Sequence, residues 1–133
     1  MKVMDIEGIG ETYAAKLREA GIATDADLLE RGHTRKGRAD LAEVTGLAES
    51  LVLEWVNHAD LMRIHGVGPE YADLLEEAGV DTVPELARRN PANLHVTIEK
   101  VVADKGLVRR PPTEGMLADW ITEATTLGRT IEY

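Results

Sequence analysis

The sequence predicts an all-α protein made of two similar halves packed around a shared core, with repeat 1 over about residues 1–60 and repeat 2 over about 61–133. An internal repeat is the first observation behind this. Ile6-Glu7-Gly8-Ile9-Gly10 recurs as Ile64-His65-Gly66-Val67-Gly68, Tyr13-Ala14 as Tyr71-Ala72, Leu17 as Leu75, and Glu19-Ala20-Gly21 as Glu77-Ala78-Gly79. Thr24, Leu28 and Arg31 return as Thr82, Leu86 and Arg89, all at one offset (66 − 8 = 58). Agreement at that density marks a duplication. Composition is the second observation. There is no phenylalanine, so Leu, Val, Ile and Ala must fill the core, with Trp55, Trp120 and three tyrosines as the bulky pieces. Ala and Leu favour helix. The third is periodicity: apolar residues recur at helical spacing, and few stretches alternate as strands do.

Taken in order, Tyr13, Ala14, Leu17 and Ala20 line one face of a helix that follows Gly10 and stops at Gly21. Thr24 caps a short helix through Leu28 and Leu29, with Asp25 and Asp27 in its first turn and an end near Gly32. Arg38 to Val44 is helical by pattern, and Thr45-Gly46-Leu47 is a turn. A long helix then runs from Ala48 to about Ile64, with Leu51, Val52, Trp55, Val56, Ala59 and Met62 as its stripe. In the second half Pro69 opens a helix lined by Leu74, Leu75 and Ala78, and Gly79 stops it. Thr82 caps the next, short helix. Glu54-Trp55-Val56-x-x-Ala59 reappears as Asp119-Trp120-Ile121-x-x-Ala124 at an offset of 65, so the extra residues (65 − 58 = 7) fall before Trp120. The Lys105–Pro112 stretch takes them, because Pro111-Pro112 cannot continue a helix. Thr113 caps the last helix. Gly128 to Tyr133 reads as extended, docking back on the body or fraying. Tyr13, Tyr71, Trp55 and Trp120 are expected in the core.

A chain of 133 residues buries roughly two-thirds of its unfolded surface, enough to fold without staples. The absence of cysteine excludes disulfides and thiolate metal sites. No apolar run reaches about 20 residues, so no membrane span is expected, and the N-terminus lacks the long apolar stretch of a secretory signal. A cytoplasmic protein is the expectation. The net charge of −9 and pI of about 4.9 repel nucleic acid on average. Charge is unevenly placed, however. Arg31, His33, Arg35, Lys36 and Arg38 are close together, as are Arg88 with Arg89 and Arg109 with Arg110, while acids crowd positions 70–85.

The pattern h-x-G-h-G-x-x-Y-A-x-x-L, best at residues 4–21 and 62–79, resembles the helix-hairpin-helix motif. Degenerate hairpins at Gly46 and Gly106 would complete a tandem helix-hairpin-helix domain. Over nearly its whole length the chain resembles the DUF4332 family. The residues that carry this are I-E-G-I-G-x-x-Y-A, the stretch from Gly32 to Arg38, A-D-L-M-R-I-x-G-V-G at 59–68, A-R-R-N-P at 87–91, and L-V-R-R-x-P-T-E-x-M at 107–116. That family brings no activity with it. The wider helix-hairpin-helix resemblance implies binding to the nucleic-acid backbone without base reading. The glycines allow a tight turn and close backbone approach, and the helix that follows starts with unpaired amides and a positive dipole end, which suit a phosphate. On this reading Gly8, Ile9, Gly10, Gly66, Val67 and Gly68 form the hairpin site. Lys16, Arg18, Arg31, Arg35, Lys36, Arg38, Arg63, Arg88, Arg89, Arg109 and Arg110 supply a basic surface. This chain departs from the DNA-binding pattern where a basic or small polar residue usually follows the second glycine. Here Glu11 follows Gly10, and Pro69-Glu70 follows Gly68. A carboxylate there repels phosphate, and Pro69 removes a donor.

No catalytic pattern stands out. His33, His58, His65 and His95 show neither H-E-x-x-H spacing nor a cysteine partner, Ser50 lacks a G-x-S-x-G elbow, and the carboxylates are unpatterned. No enzyme activity, metal or cofactor is expected. The expected function is a non-catalytic binding or adaptor module that engages a protein partner or a second copy of itself. The alternative is sequence-nonspecific binding of a DNA or RNA backbone through the two G-h-G hairpins and the adjacent basic residues.

Overall fold

A computed structural model describes residues 1–106 and 110–133. Among these residues the fold is all-helical, with a 3-10 turn at Val3–Asp5 and eight α-helices. These are α1 Glu11–Glu19, α2 Asp25–Gly32, α3 Arg35–Thr45, α4 Glu49–Leu61, α5 Pro69–Glu77, α6 Val83–Ala87, α7 Pro91–Lys105 and α8 Glu114–Leu127. The chain divides into two compact units. Unit 1 holds Met1–Asp60 with Thr130–Tyr133, and unit 2 holds Leu61–Arg129. No helix among the described residues is long and apolar enough to cross a membrane.

In unit 1, α1 packs on the 3-10 turn, and the Val3 amide ties the start of the chain to the Ala23 carbonyl at 3.0 Å. At the end of α1 the Ile22 amide reaches back to the Leu17 carbonyl (2.9 Å) and the Gly21 amide to the Arg18 carbonyl (3.0 Å), a Schellman closure with Gly21 at φ 88°. A full capping box starts α2. Thr24 Oγ1 accepts from the Asp27 amide, and the Asp27 carboxylate accepts the Ala23 and Thr24 amides, each at 3.1 Å. Those two amides hold the Asp27 carboxyl below its usual pKa.

The α3 helix begins three residues earlier than the pattern from Arg38 suggests. Thr34 is the reason: its hydroxyl accepts the Gly37 amide at 3.0 Å, which draws the basic run into the first turn. Gly37 is required for packing, because a Cβ there would run into the Arg31 carbonyl. That close approach seats α2 against α3. The long helix expected from Ala48 to Ile64 is shorter as α4 and ends at Leu61. The apolar interior is aliphatic apart from Trp55 and includes Ile6, Leu17, Ile22, Leu28, Leu41 and Val56, with Arg38, His58 and Asp60 buried beside it.

Unit 2 repeats the first turn of events. Val80 reaches back to the Leu75 carbonyl (2.8 Å) and Gly79 to Glu76 (2.9 Å), the same closure as in α1. Before α6, the Asp81 amide donates to the Glu85 carboxylate at 2.9 Å. Glu85 stands 58 residues after Asp27 (85 − 27 = 58), so the capping acid recurs. Thr82, expected as the cap, makes no side-chain cap bond. Asn90 caps α7 and Thr113 caps α8, each hydroxyl or amide oxygen accepting a third-residue amide at 3.1 Å. Helix α7 is absent from the elements that the periodicity identified, since only Leu94 and Ile98 of its fifteen residues are buried. Both α6 and α7 pack on α8, and α5 packs on α7. A continuous cluster from Leu61 and Ile64 through Leu74, Leu75, Leu86 and Leu94 to Leu117 and Trp120 fills the unit.

Candidate binding surface at the glycine turns

The two Gly-h-Gly turns have the same build. Gly8 and Gly66 both sit at φ 90°, a left-handed conformation that a side chain resists. Ile9 and Val67 bury their side chains (3% and 5% exposed) and return their amides to Ile6 and Ile64, each at 3.0 Å. Each turn rests on a tryptophan. A Cβ added to Gly8 would lie 3.5 Å from Trp55 Nε1, and one on Gly66 would lie 3.4 Å from Trp120 Nε1. Tyr13 packs on Trp55 with ring centroids 5.2 Å apart, and Tyr71 on Trp120 at 5.1 Å, with interplanar angles of 55° and 56°. Both tryptophans are buried, as expected. The tyrosines are less buried than expected, although Tyr71 still packs against the core of unit 2. Tyr13 is 37% exposed, and Tyr71 is half-buried with its hydroxyl donating to the Arg110 carbonyl at 2.8 Å. At the third position of its helix, each ring can cover the indole while its edge still faces solvent.

Gly10 and Gly68 cap α1 and α5 with extended backbone (φ −83° and −96°) and no side-chain cap. A Cβ at either would meet nothing within 4 Å. Neither backbone strain nor crowding therefore calls for glycine there, and no side chain caps the first turn of either helix. The charges around them are acidic. Glu11 stands in the first turn of α1 and Glu70 in that of α5. At the second turn the Glu123 carboxylate accepts the His65 amide at 2.9 Å. It borders a hollow of about 520 Å3 that is also lined by Arg63, Gly66 and Gly68.

Several of the candidate basic residues are bonded within their own unit. Arg38 is 5% exposed and donates to the Gly32 carbonyl at 2.9 Å and the Glu132 carbonyl at 2.7 Å. Arg31 donates to the Ala20 carbonyl at 2.9 Å. Arg63 closes the end of α8 through the Leu127 carbonyl at 3.0 Å and that of Gly128 at 3.3 Å. Lys36 pairs with Asp40 at 3.1 Å. Lys16 and Arg18 lie exposed in the last turn of α1, and Arg35 is exposed at the start of α3. Arg88 and Arg89 follow the C-terminal end of α6, and Arg110 is exposed. Arg109 lies outside the described residues, as do Leu107 and Val108.

Of the histidines, His58 is buried (1% exposed), His33 bonds the Glu30 carbonyl through Nδ1 at 2.7 Å, and His95 sits 3.4 Å from Glu99. His65 is exposed in its turn. Sequence reasoning did not single out Glu123. A signal was present, since a polar residue stands three positions after each tryptophan, His58 after Trp55 and Glu123 after Trp120.

These features define a small all-α protein in which two glycine turns, each seated on an indole, open a surface helix. The chain belongs to the family described as a domain of unknown function, DUF4332, whose model matches residues 7–127. Neither a curated protein nor a solved structure matches it.

Proposed function

We propose that this protein is a non-catalytic binding or adaptor module of duplicated helix-hairpin-helix type, acting on a protein partner or on itself. The observation that carries this reading is the use of charge. Arg31, Arg38 and Arg63 direct guanidinium donors at main-chain carbonyls, while a carboxylate already sits on the His65 amide beside the second turn, where its charge opposes a phosphate. A nucleic-acid backbone is bound by releasing counterions from arrays of available Lys and Arg. The net charge of −9 works in the same direction. A second reading, nonspecific DNA or RNA backbone binding, draws support from Gly10 and Gly68. They open α1 and α5 without a side-chain cap, and uncapped first-turn amides suit an anion.

Titration of the pure protein into fluorescently labelled duplex and single-stranded DNA at low salt separates the two. The expected result is no binding. Micromolar binding that weakens steeply as salt rises would overturn the module reading and put the phosphate interface first.

A further inference from the structure

Thr130–Tyr133 belongs to unit 1, although the chain reaches it from α8 in unit 2. The segment lies outside any helix and is held by a few definite contacts. Ile131 is 2% exposed. The Glu132 amide donates to the His33 carbonyl at 2.7 Å, and the Glu132 carbonyl accepts from Arg38 Nη2 at 2.7 Å. Tyr133 places its ring centre 5.8 Å from the Arg38 guanidinium carbon, a cation–π distance. Beside that ring lies a groove of about 320 Å3 lined by Arg35, Arg38, Glu49, Ser50 and Leu53. The ring itself forms one wall of this groove and is 60% exposed.

Both hydrogen bonds at position 132 use its own main-chain atoms. They fix the segment without choosing its side chain. Side-chain contacts fall on positions 131 and 133, one aliphatic and buried, the other aromatic, largely exposed and within cation–π distance of Arg38. This is the alternate-residue readout of a docked peptide strand, where main-chain bonds give affinity and alternate side chains give specificity. A vacated seat would leave the buried Arg38 guanidinium short of an acceptor and the His33 carbonyl short of a donor, a state that favours any replacement supplying both.

We propose that this seat is a peptide-docking groove, held in cis by residues 130–133, which takes a non-helical segment of a partner protein carrying an aliphatic residue followed two positions later by an aromatic one. The proposal rests on the protein-binding reading above. Residues 130–133 act as a tethered competitor at an effective concentration on the order of millimolar. A partner therefore binds with an apparent affinity reduced by the fraction of seats that are closed.

The test uses a labelled, C-terminally amidated peptide Gly-Arg-Thr-Ile-Glu-Tyr, which copies residues 128–133, and the 133-residue protein. Ile131→Asp withdraws the competitor. Fluorescence anisotropy is expected to give saturable binding to Ile131→Asp that is about tenfold or more tighter than to wild type. Replacing the peptide's Ile with Asp should abolish it. NMR of the wild type with excess peptide guards against a variant that fails to fold, and should move the Gly32, His33 and Arg38 signals. No binding to a folded Ile131→Asp, or no such shifts in wild type, overturns the proposal. Light scattering that finds a wild-type dimer dissolved by the peptide would give the seat to a second copy and overturn the assignment to a different partner. Failure of the peptide while DNA stays unbound removes the groove alone. DNA binding in the salt titration removes the module reading, whatever the peptide does.

Discussion

Unit 2 and unit 1 start from the same repeat and finish it differently. In unit 2 the interior is one aliphatic cluster closed by Trp120, and the outer tyrosine is tied down through its hydroxyl to Arg110. In unit 1 a buried guanidinium stands in the fold, answered by two carbonyls, one of them from a segment 94 residues away in sequence. The equivalent helices show the same contrast. Leu74 of α5 is buried at 1% exposure, and its counterpart in α1 (74 − 58 = 16) is the exposed Lys16. A repeat copied with high fidelity at the turn has therefore been free to diverge on the face that decides what it packs against. Apolar packing tolerates many neighbours, whereas a buried charge needs specific acceptors. Unit 1 should accordingly depend on a few identifiable hydrogen bonds where unit 2 depends on area.

The largest expected effect comes from exchanging residues between the repeats. Leu74→Lys places a charge where no water reaches and should destabilise by about 4 kcal/mol or more in urea unfolding. The reciprocal Lys16→Leu, on an exposed face, should change stability by no more than about 0.5 kcal/mol. Equal costs would mean that the two helices occupy equivalent environments after all. Arg38→Met comes next. It leaves the Gly32 and Glu132 carbonyls without their donor, and about 3 kcal/mol is expected. Hydrogen exchange should show the loss in unit 1, with the Glu132 amide among the first to open, while the protected amides of α7 and α8 keep their rates. Uniform loss across both units would dissolve the distinction drawn here. The smallest effect sharpens the similarity instead. Gly8→Ala and Gly66→Ala each force a side chain to φ 90°, with contacts to the indole nitrogen no closer than 3.4 Å. Each should cost about 1–2 kcal/mol, nearly the same in the two units. A marked inequality would show that the turns are not equivalent under load.

Much of the site was legible because its determinants are local. A left-handed glycine, a buried hydrophobe and an extended N-cap lie within five consecutive residues, and the repeat displays them twice. Thr24 and Thr113 act through amides three residues away, within reach of local pattern reasoning, whereas Asn90, equally close to its partner, went unread together with the helix it caps. Thr34 lies just as close to its partner, yet the run of charge after it hid the start of α3. The fate of the basic residues was not legible. Arg31, Arg38 and Arg63 read as a nucleic-acid surface until the carbonyls they meet are known, and those of Arg38 and Arg63 include acceptors 94 and 65 residues distant.

By itself the sequence determined the helical class, the duplication, the two turns and their tryptophans, because backbone conformation and side-chain periodicity are set by near neighbours. Only the tertiary structure decided which charges are bound, which tyrosine edge faces solvent, that Glu123 sits on the His65 amide, and that residues 130–133 complete unit 1. Each of these depends on groups brought together from distant parts of the chain, where the cost of leaving a buried donor or acceptor unpaired selects one arrangement among those the local pattern allows.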